Sequence, residues 1–275
     1  MLSFPTDLPI ESLAGIISSP ATMISVIRKM GIVPFSHCAV IGWSIEEMTN
    51  PEWWFTTSDE LGPWDWKVDA VQTGDIVYGK FLRRKAAFAT VEYYRHLMNW
   101  RRSIPQFRMA LGESYDAVTI DDRLMQLLAP VVLSALRECG TLQSDDIRQV
   151  LENIPIQDRE RIGGHVVKYL VPHVKKQAVD YVMQYLEMGT WAVVGDITRV
   201  YRGPNLEYCG WQRNVWTTPE ELYGNFLIPG NGKNEATIGG VFHDVHLLPA
   251  RSREFLLDKV VSLFPETRSM VMKLI

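Results

Sequence analysis

Cysteine is scarce in this chain: Cys38, Cys139 and Cys209 are three among 275 residues, far apart and odd in number, with no C-x-x-C pair. That excludes a disulfide framework and points to a reducing, cytoplasmic setting. Long apolar runs are also missing. No window approaches ~18 uninterrupted apolar residues, and Asp7 and Glu11 stand where a secretory leader needs cations and an apolar stretch, so neither a membrane span nor export is expected. The G-x-S-x-G, H-E-x-x-H and dinucleotide-binding glycine patterns do not occur. The Gly-rich run PGNGKNEATIGG, residues 229–240, has Asn234 after Lys233 where a phosphate loop has Ser or Thr, and reads as a hairpin loop. His243 and His246 lack a second group of ligands nearby, so no metal and no cofactor are expected. The overall charge of -4, with a pI near 5.9, excludes a surface coated in nucleic acid. Any such binding has to be local.

Aromatic residues, by contrast, are plentiful, and five of the nine tryptophans fall within residues 53–102. The same stretch holds the strongest positive charge. Lys80, Arg83, Arg84, Lys85, Arg95, Arg101 and Arg102 face one acid, Glu92, between Gly79 and Arg102. Cations interleaved with rings suit a surface that holds phosphates and stacks on bases. The competing reading makes the rings core and the cations a solvated face.

Local signals place these residues on elements. Ser19-Pro20 caps a first helix that Gly31 closes, and Ser44 with Glu47 caps a brief second one before Pro51. From Trp53 the helical period is lost. Gly62-Pro63 and Gly74-Asp75 read as turns, and residues 76–81 and 86–90 as two strands joined at Arg83-Arg84-Lys85. Residues 91–101 return to helix, with Tyr94, Leu97 and Met98 inward and Arg95, Arg101 and Arg102 left for solvent or a polyanion.

The second half opens with the clearest helix, capped by Thr119 and Asp122, with Leu124, Leu127, Leu128, Val131 and Ala135 spaced for one face, and ended by Gly140. Ser144 caps another, and Pro172 is expected to begin a third, with Lys175 and Lys176 exposed in its first turns. Two short β-runs joined at Gly195-Asp196 and a third at residues 212–217 follow. Three helices and then a hairpin is the order of a winged helix-turn-helix module. The expected fold is therefore α+β and predominantly helical, with winged helix-turn-helix modules and short β-hairpins. Four segments are drawn: a helical region 1–52, a Trp-rich hairpin with a basic helix 53–117, a winged-helix-like domain 118–225, and a C-terminal hairpin and helix 226–275 packing back on the core.

Among the carboxylates, Asp65 stands out between Trp64 and Trp66 and ahead of Lys67. It suits stabilisation of an oxocarbenium-like sugar or activation of water, or else a structural turn held by an Asp–Lys pair. Trp53, Trp54, Trp64 and Trp66 are the candidate walls of an aromatic cleft, or a joint against which the winged-helix module packs. Cys38 beside His37 is a weaker candidate nucleophile, since adjacent side chains rarely converge.

Three motifs, P-W-x-W-K at 63–67, G-K-F-x-x-x-K-A-x-F at 79–88 and G-W…T-T-P-E-E-L-x-G from 210 to 224, resemble proteins related to the AlkZ or YcaQ group. That group comprises bacterial tandem winged-helix DNA glycosylases that remove alkylated or crosslinked bases. The resemblance implies winged-helix units clasping double-stranded DNA, base excision as the activity, and neither cofactor nor metal. The group's Q-x-Q or Q-x-D motif has no counterpart in the N-terminal part, so no catalytic residue is carried over. The alternative is a catalytically silent interaction or regulatory module with a Trp-lined ligand cleft.

Overall fold

The computed structural model describes residues 15–54, 61–116, 119–227 and 248–275. It is α+β and mostly helical, and its chain contacts divide it into one unit of residues 1–100 with 225–275 and a second of residues 101–224. The 229–240 loop and the His243/His246 pair lie outside the described residues.

The first unit begins with α1, Pro20–Met30, where Ser19 and Thr22 form a reciprocal capping box and Pro20 takes the first helical position. Gly31, at φ +76°, ends it, and a Cβ there would lie 2.4 Å from the Tyr93 ring, so glycine is required on two counts. Strands β1 (Ile32–Pro34), β2 (Ile76–Leu82) and β3 (Lys85–Thr90) form an antiparallel set with β3 central, pairing Val33 with Phe88 and Tyr78 with Phe88. Every β2 residue except Lys80 is buried. Helices α2 (Ile45–Met48), α3 (Pro63–Gln72) and α4 (Val91–Arg101) complete the N-terminal part. Sequence reasoning missed α3. Gly62-Pro63, taken for a turn, is the N-cap and first position of that helix, and its alternating tryptophans and charges disguise the period.

The second unit contains α5 (Pro105–Arg108), α6 (Ile120–Cys139), β4 (Thr141–Leu142), α7 (Ser144–Glu152), α8 (Ile156–Glu160), α9 (Lys176–Met188), β5 (Val193–Arg202) and β6 (Glu207–Thr217). Helix α10 (Pro219–Leu227) follows. In the first unit α11 (Pro249–Leu263) fits the expected tail helix, and α12 (Arg268–Leu274) was not anticipated. β6 pairs antiparallel with both β5 and β4.

Three details of the second unit differ from expectation. The buried stripe of α6 runs through Met125, Ala129, Val132, Leu133 and Leu136, while Val131 is exposed, because the apolar positions extend to both sides of the counted row. Helix α9 starts at Lys176 rather than Pro172; Lys175 is still extended, its N–H bonded to the Tyr169 carbonyl. Gly195-Asp196 is a bulge inside one ten-residue strand, not a turn between two, and a Cβ at Gly195 would meet Thr217 at 2.8 Å.

Arg102 sits at the centre of this unit with no solvent exposure. One of its nitrogens donates to the Thr190 carbonyl at 2.6 Å, another to Glu220, and the guanidinium lies 4.3 Å from the Trp191 ring. Trp191 in turn donates to the Phe107 carbonyl at 2.8 Å, and the Tyr185 hydroxyl to that of Gln106 at 2.6 Å. Removing one partner of a buried ion pair strands the other, at a cost of about 3–5 kcal/mol. Arg102→Ala is therefore expected to lower the unfolding free energy from urea titration by about that amount, with a correspondingly lower midpoint, while Arg83→Ala stays within ~0.5 kcal/mol of the parent. Equal midpoints for the two variants contradict the assignment.

Candidate nucleic-acid interface and a buried lysine

Arg83 and Arg84 form a two-residue connection between β2 and β3, with Leu82 and Lys85 as the closing pair. Both have positive φ, 46° and 70°. Such a turn matches the twist of the flanking strands, and it is ordinarily filled by Asn-Gly, because glycine has no Cβ and asparagine tolerates left-handed backbone better than longer side chains. Two arginines in these positions sacrifice local stability. Both are exposed, and among the described residues neither makes a hydrogen bond or an ion pair. Lys85 is exposed too, its Nζ donating to the His37 carbonyl at 2.7 Å. Lys80 and Arg95 are half-buried.

The remaining pair of that group sits elsewhere. Arg101 and Arg102 were expected at a polyanion surface, yet Arg101 is 7% exposed, near the Phe107 ring, and Arg102 is fully enclosed as described. The physical reason was legible: Arg101 is seven residues after Tyr94, on the same face as Leu97 and Met98, which are buried. In the second unit Lys175 and Lys176 are exposed at the start of α9. That helix end has no capping side chain and no acid in its first turn, whereas α6 and α7 have both a capping box and paired aspartates. Cations at a helix N-terminus oppose the macrodipole, so the end is biased toward an external anion.

Among the described residues the four tryptophans pack on other rings rather than standing apart as cleft walls. Trp54 packs 5.0 Å and Trp64 6.0 Å from the Phe35 ring, and Trp53 packs 6.2 Å from Trp66. Trp54 and Trp66 are buried, with their indole N–H groups donating to Thr49 Oγ1 and the Leu61 carbonyl at 2.6 and 2.8 Å. Trp64 alone of the four is substantially exposed, at 39%. Asp65 is nearly buried in the first turn of α3, its N–H bonded to the Gly62 carbonyl, where a negative charge complements the helix dipole.

Sequence reasoning gave Lys67 only the role of a counter-ion. It is 4% exposed, and its Nζ lies 3.2 Å from the Trp64 ring centroid and 5.7 Å from that of Phe35. Burial pulls its pKa from 10.5 down to about 7, with the Asp65 charge opposing the shift. The i, i+3 spacing of Trp64 and Lys67 on one helix was the available signal.

Other candidates are structural. Burial raises the Cys38 thiol pKa, and the thiol faces the Val40 carbonyl. Ser252 lies 3.2 Å from His96 Nδ1 and accepts from Asn99 at 2.9 Å, but it is wholly buried, a bridge between α4 and α11. Among the described residues no three His, Cys, Asp or Glu side chains converge, and no helix is long and apolar enough to cross a membrane.

In comparison with known proteins, a family model described as AlkZ related matches residues 17–269. No curated protein and no solved structure matches the chain.

The depressed lysine predicts a stability profile. Below pH 7 Lys67 is protonated in both folded and unfolded chains; between about 7 and 10.5 the unfolded chain binds more protons, so stability rises with pH. The slope approaches ~1.4 kcal/mol per unit from this group. Urea titrations from pH 6 to 10 are expected to show that rise in the parent protein and lose it in Lys67→Met, which is also the more stable at pH 6. Parallel profiles contradict the burial of a charge-bearing amine.

Proposed function

The chain belongs to the AlkZ-related family, and we propose that it binds double-stranded DNA and acts on it as a glycosylase, cleaving the N-glycosidic bond of a damaged base. The observation that carries the binding half is the Arg83-Arg84 turn. Backbone strain retained at an exposed tip, in residues that make no hydrogen bond or ion pair among the described residues, is accounted for by a ligand outside the chain. Guanidinium groups suit phosphate because they offer two parallel donors to its oxygens.

The second unit is read as a winged-helix module. The order α6–β4–α7–α8–α9–β5–β6, with the short α8 between α7 and α9 and with β4 and β5 on either edge of β6, supports this reading, and in such a module α9 is the helix offered to a groove. Lys175 and Lys176 then hold the backbone rather than read bases. The β5–β6 hairpin is the wing. For the chemistry, Asp65 is the carboxylate proposed to oppose positive charge developing on the sugar, with the exposed part of Trp64 proposed to meet a base. The alternative, a silent module with a Trp-lined cleft, has less support, since Trp54 and Trp66 are buried with their N–H groups satisfied.

Two outcomes are expected. Replacing Arg83-Arg84 by Asn-Gly gives the turn its preferred residues, so the variant gains roughly 1–2 kcal/mol of stability and loses duplex affinity by at least about tenfold at low salt. A gain in stability with unchanged affinity in a gel-shift titration would sink the binding assignment. Asp65→Asn is expected to abolish release of an alkylated base from duplex DNA while leaving affinity within about twofold. Release at the parent rate removes Asp65 from the chemistry.

A further inference from the structure

The reading above uses exposed cations and leaves Lys67 without a task. Lysines at partly apolar positions ordinarily extend the ammonium to water or pair it with a carboxylate or carbonyl. This one is 4% exposed, with two aromatic rings beside its Nζ, and among the described residues it makes no hydrogen bond or ion pair. Removing an ammonium from water is costly, and ring faces offset that cost only in part. The uncharged amine is therefore favoured at this place, in keeping with a pKa brought down to about 7.

A neutral lysine amine in desolvated surroundings is a nucleophile toward carbonyl carbon. At pH 7 about half of such a group is free base, against roughly one in a few thousand for a lysine at 10.5. Of the two rings beside it, that of Trp64 is the nearer, and Trp64 is 39% exposed, so the amine lies behind a side chain that reaches solvent. Asp65, two residues earlier on the same helix, places a negative charge where a cationic adduct benefits from it.

We propose that Lys67 condenses with aldehydes, and that its substrate is the ring-opened deoxyribose left in DNA once a base has been removed; the inference rests on the base-excision reading. The lone pair on Nζ attacks the C1′ carbonyl carbon, forming a C–N bond while the carbonyl oxygen takes up a proton. The resulting carbinolamine loses that oxygen as water, leaving a protonated imine between chain and DNA. No oxidant or reductant takes part.

The test incubates the full chain with a duplex carrying one abasic site at pH 7 in the presence of cyanoborohydride, whose hydride reduces the imine to a stable secondary amine. Duplex retention is measured in the same samples by gel shift, and the adduct is located by peptide mass spectrometry. The expected result is a sugar adduct on Lys67 in the parent protein, reduced at least tenfold in Lys67→Arg, which keeps a cation over the ring and forms no stable imine. Retained duplex with Lys67 unmodified, or with adducts spread over exposed lysines, overturns this inference and leaves the DNA reading standing. Failure to retain the duplex overturns both. Mapping the parent protein decides between these outcomes even where Lys67→Arg fails to fold.

Discussion

Burying the guanidinium of Arg102 is tolerable because three parts of the second unit converge on it: the Thr190 carbonyl, the Glu220 carboxylate and the face of Trp191. A cation without water needs opposite charge and acceptors in fixed positions, so the end of α9, the start of α10 and the turn after α4 are held to one another. The loss of about 3–5 kcal/mol expected when the pair is broken is a large share of a typical domain's 5–15. The same constraint separates cations that build the fold from cations left to act outside it. Arg101 and Arg102 belong to the first set; Arg83, Arg84, Lys175 and Lys176 are exposed.

Much of the frame was legible because local chemistry dictated it. Ser19-Pro20 and Thr119-Asp122 carry their own capping logic, and the β2–β3 connection follows from two β-prone runs that leave three cations between them. The misreadings share a cause, namely that tertiary context decides what a short pattern leaves open. Gly62-Pro63 starts a helix as readily as a turn, Gly195 fits a bulge as well as a hairpin, and two adjacent arginines read as surface until their phase on α4 is followed past Met98. Lys67 was hardest to see, because the depth at which an amine lies is a property of the folded unit and not of its neighbours in sequence.

The functional account joins two forms of accepted instability. Arginines in left-handed backbone at the β2–β3 tip and an amine enclosed by rings on α3 are both disfavoured by the isolated fold. The partners proposed for them are a phosphate in one case and a carbonyl carbon in the other. On the proposed function both partners lie on one polymer, since excision of a base from DNA leaves a phosphate backbone around a sugar aldehyde.

Whether exposed cations hold a duplex is read most directly from the salt dependence of binding. Neutralising one phosphate each, Arg83, Arg84, Lys175 and Lys176 are expected to give a plot of log Kobs against log salt with a slope of about -3.6. A slope near zero, or no retention of duplex at low salt, would contradict the account.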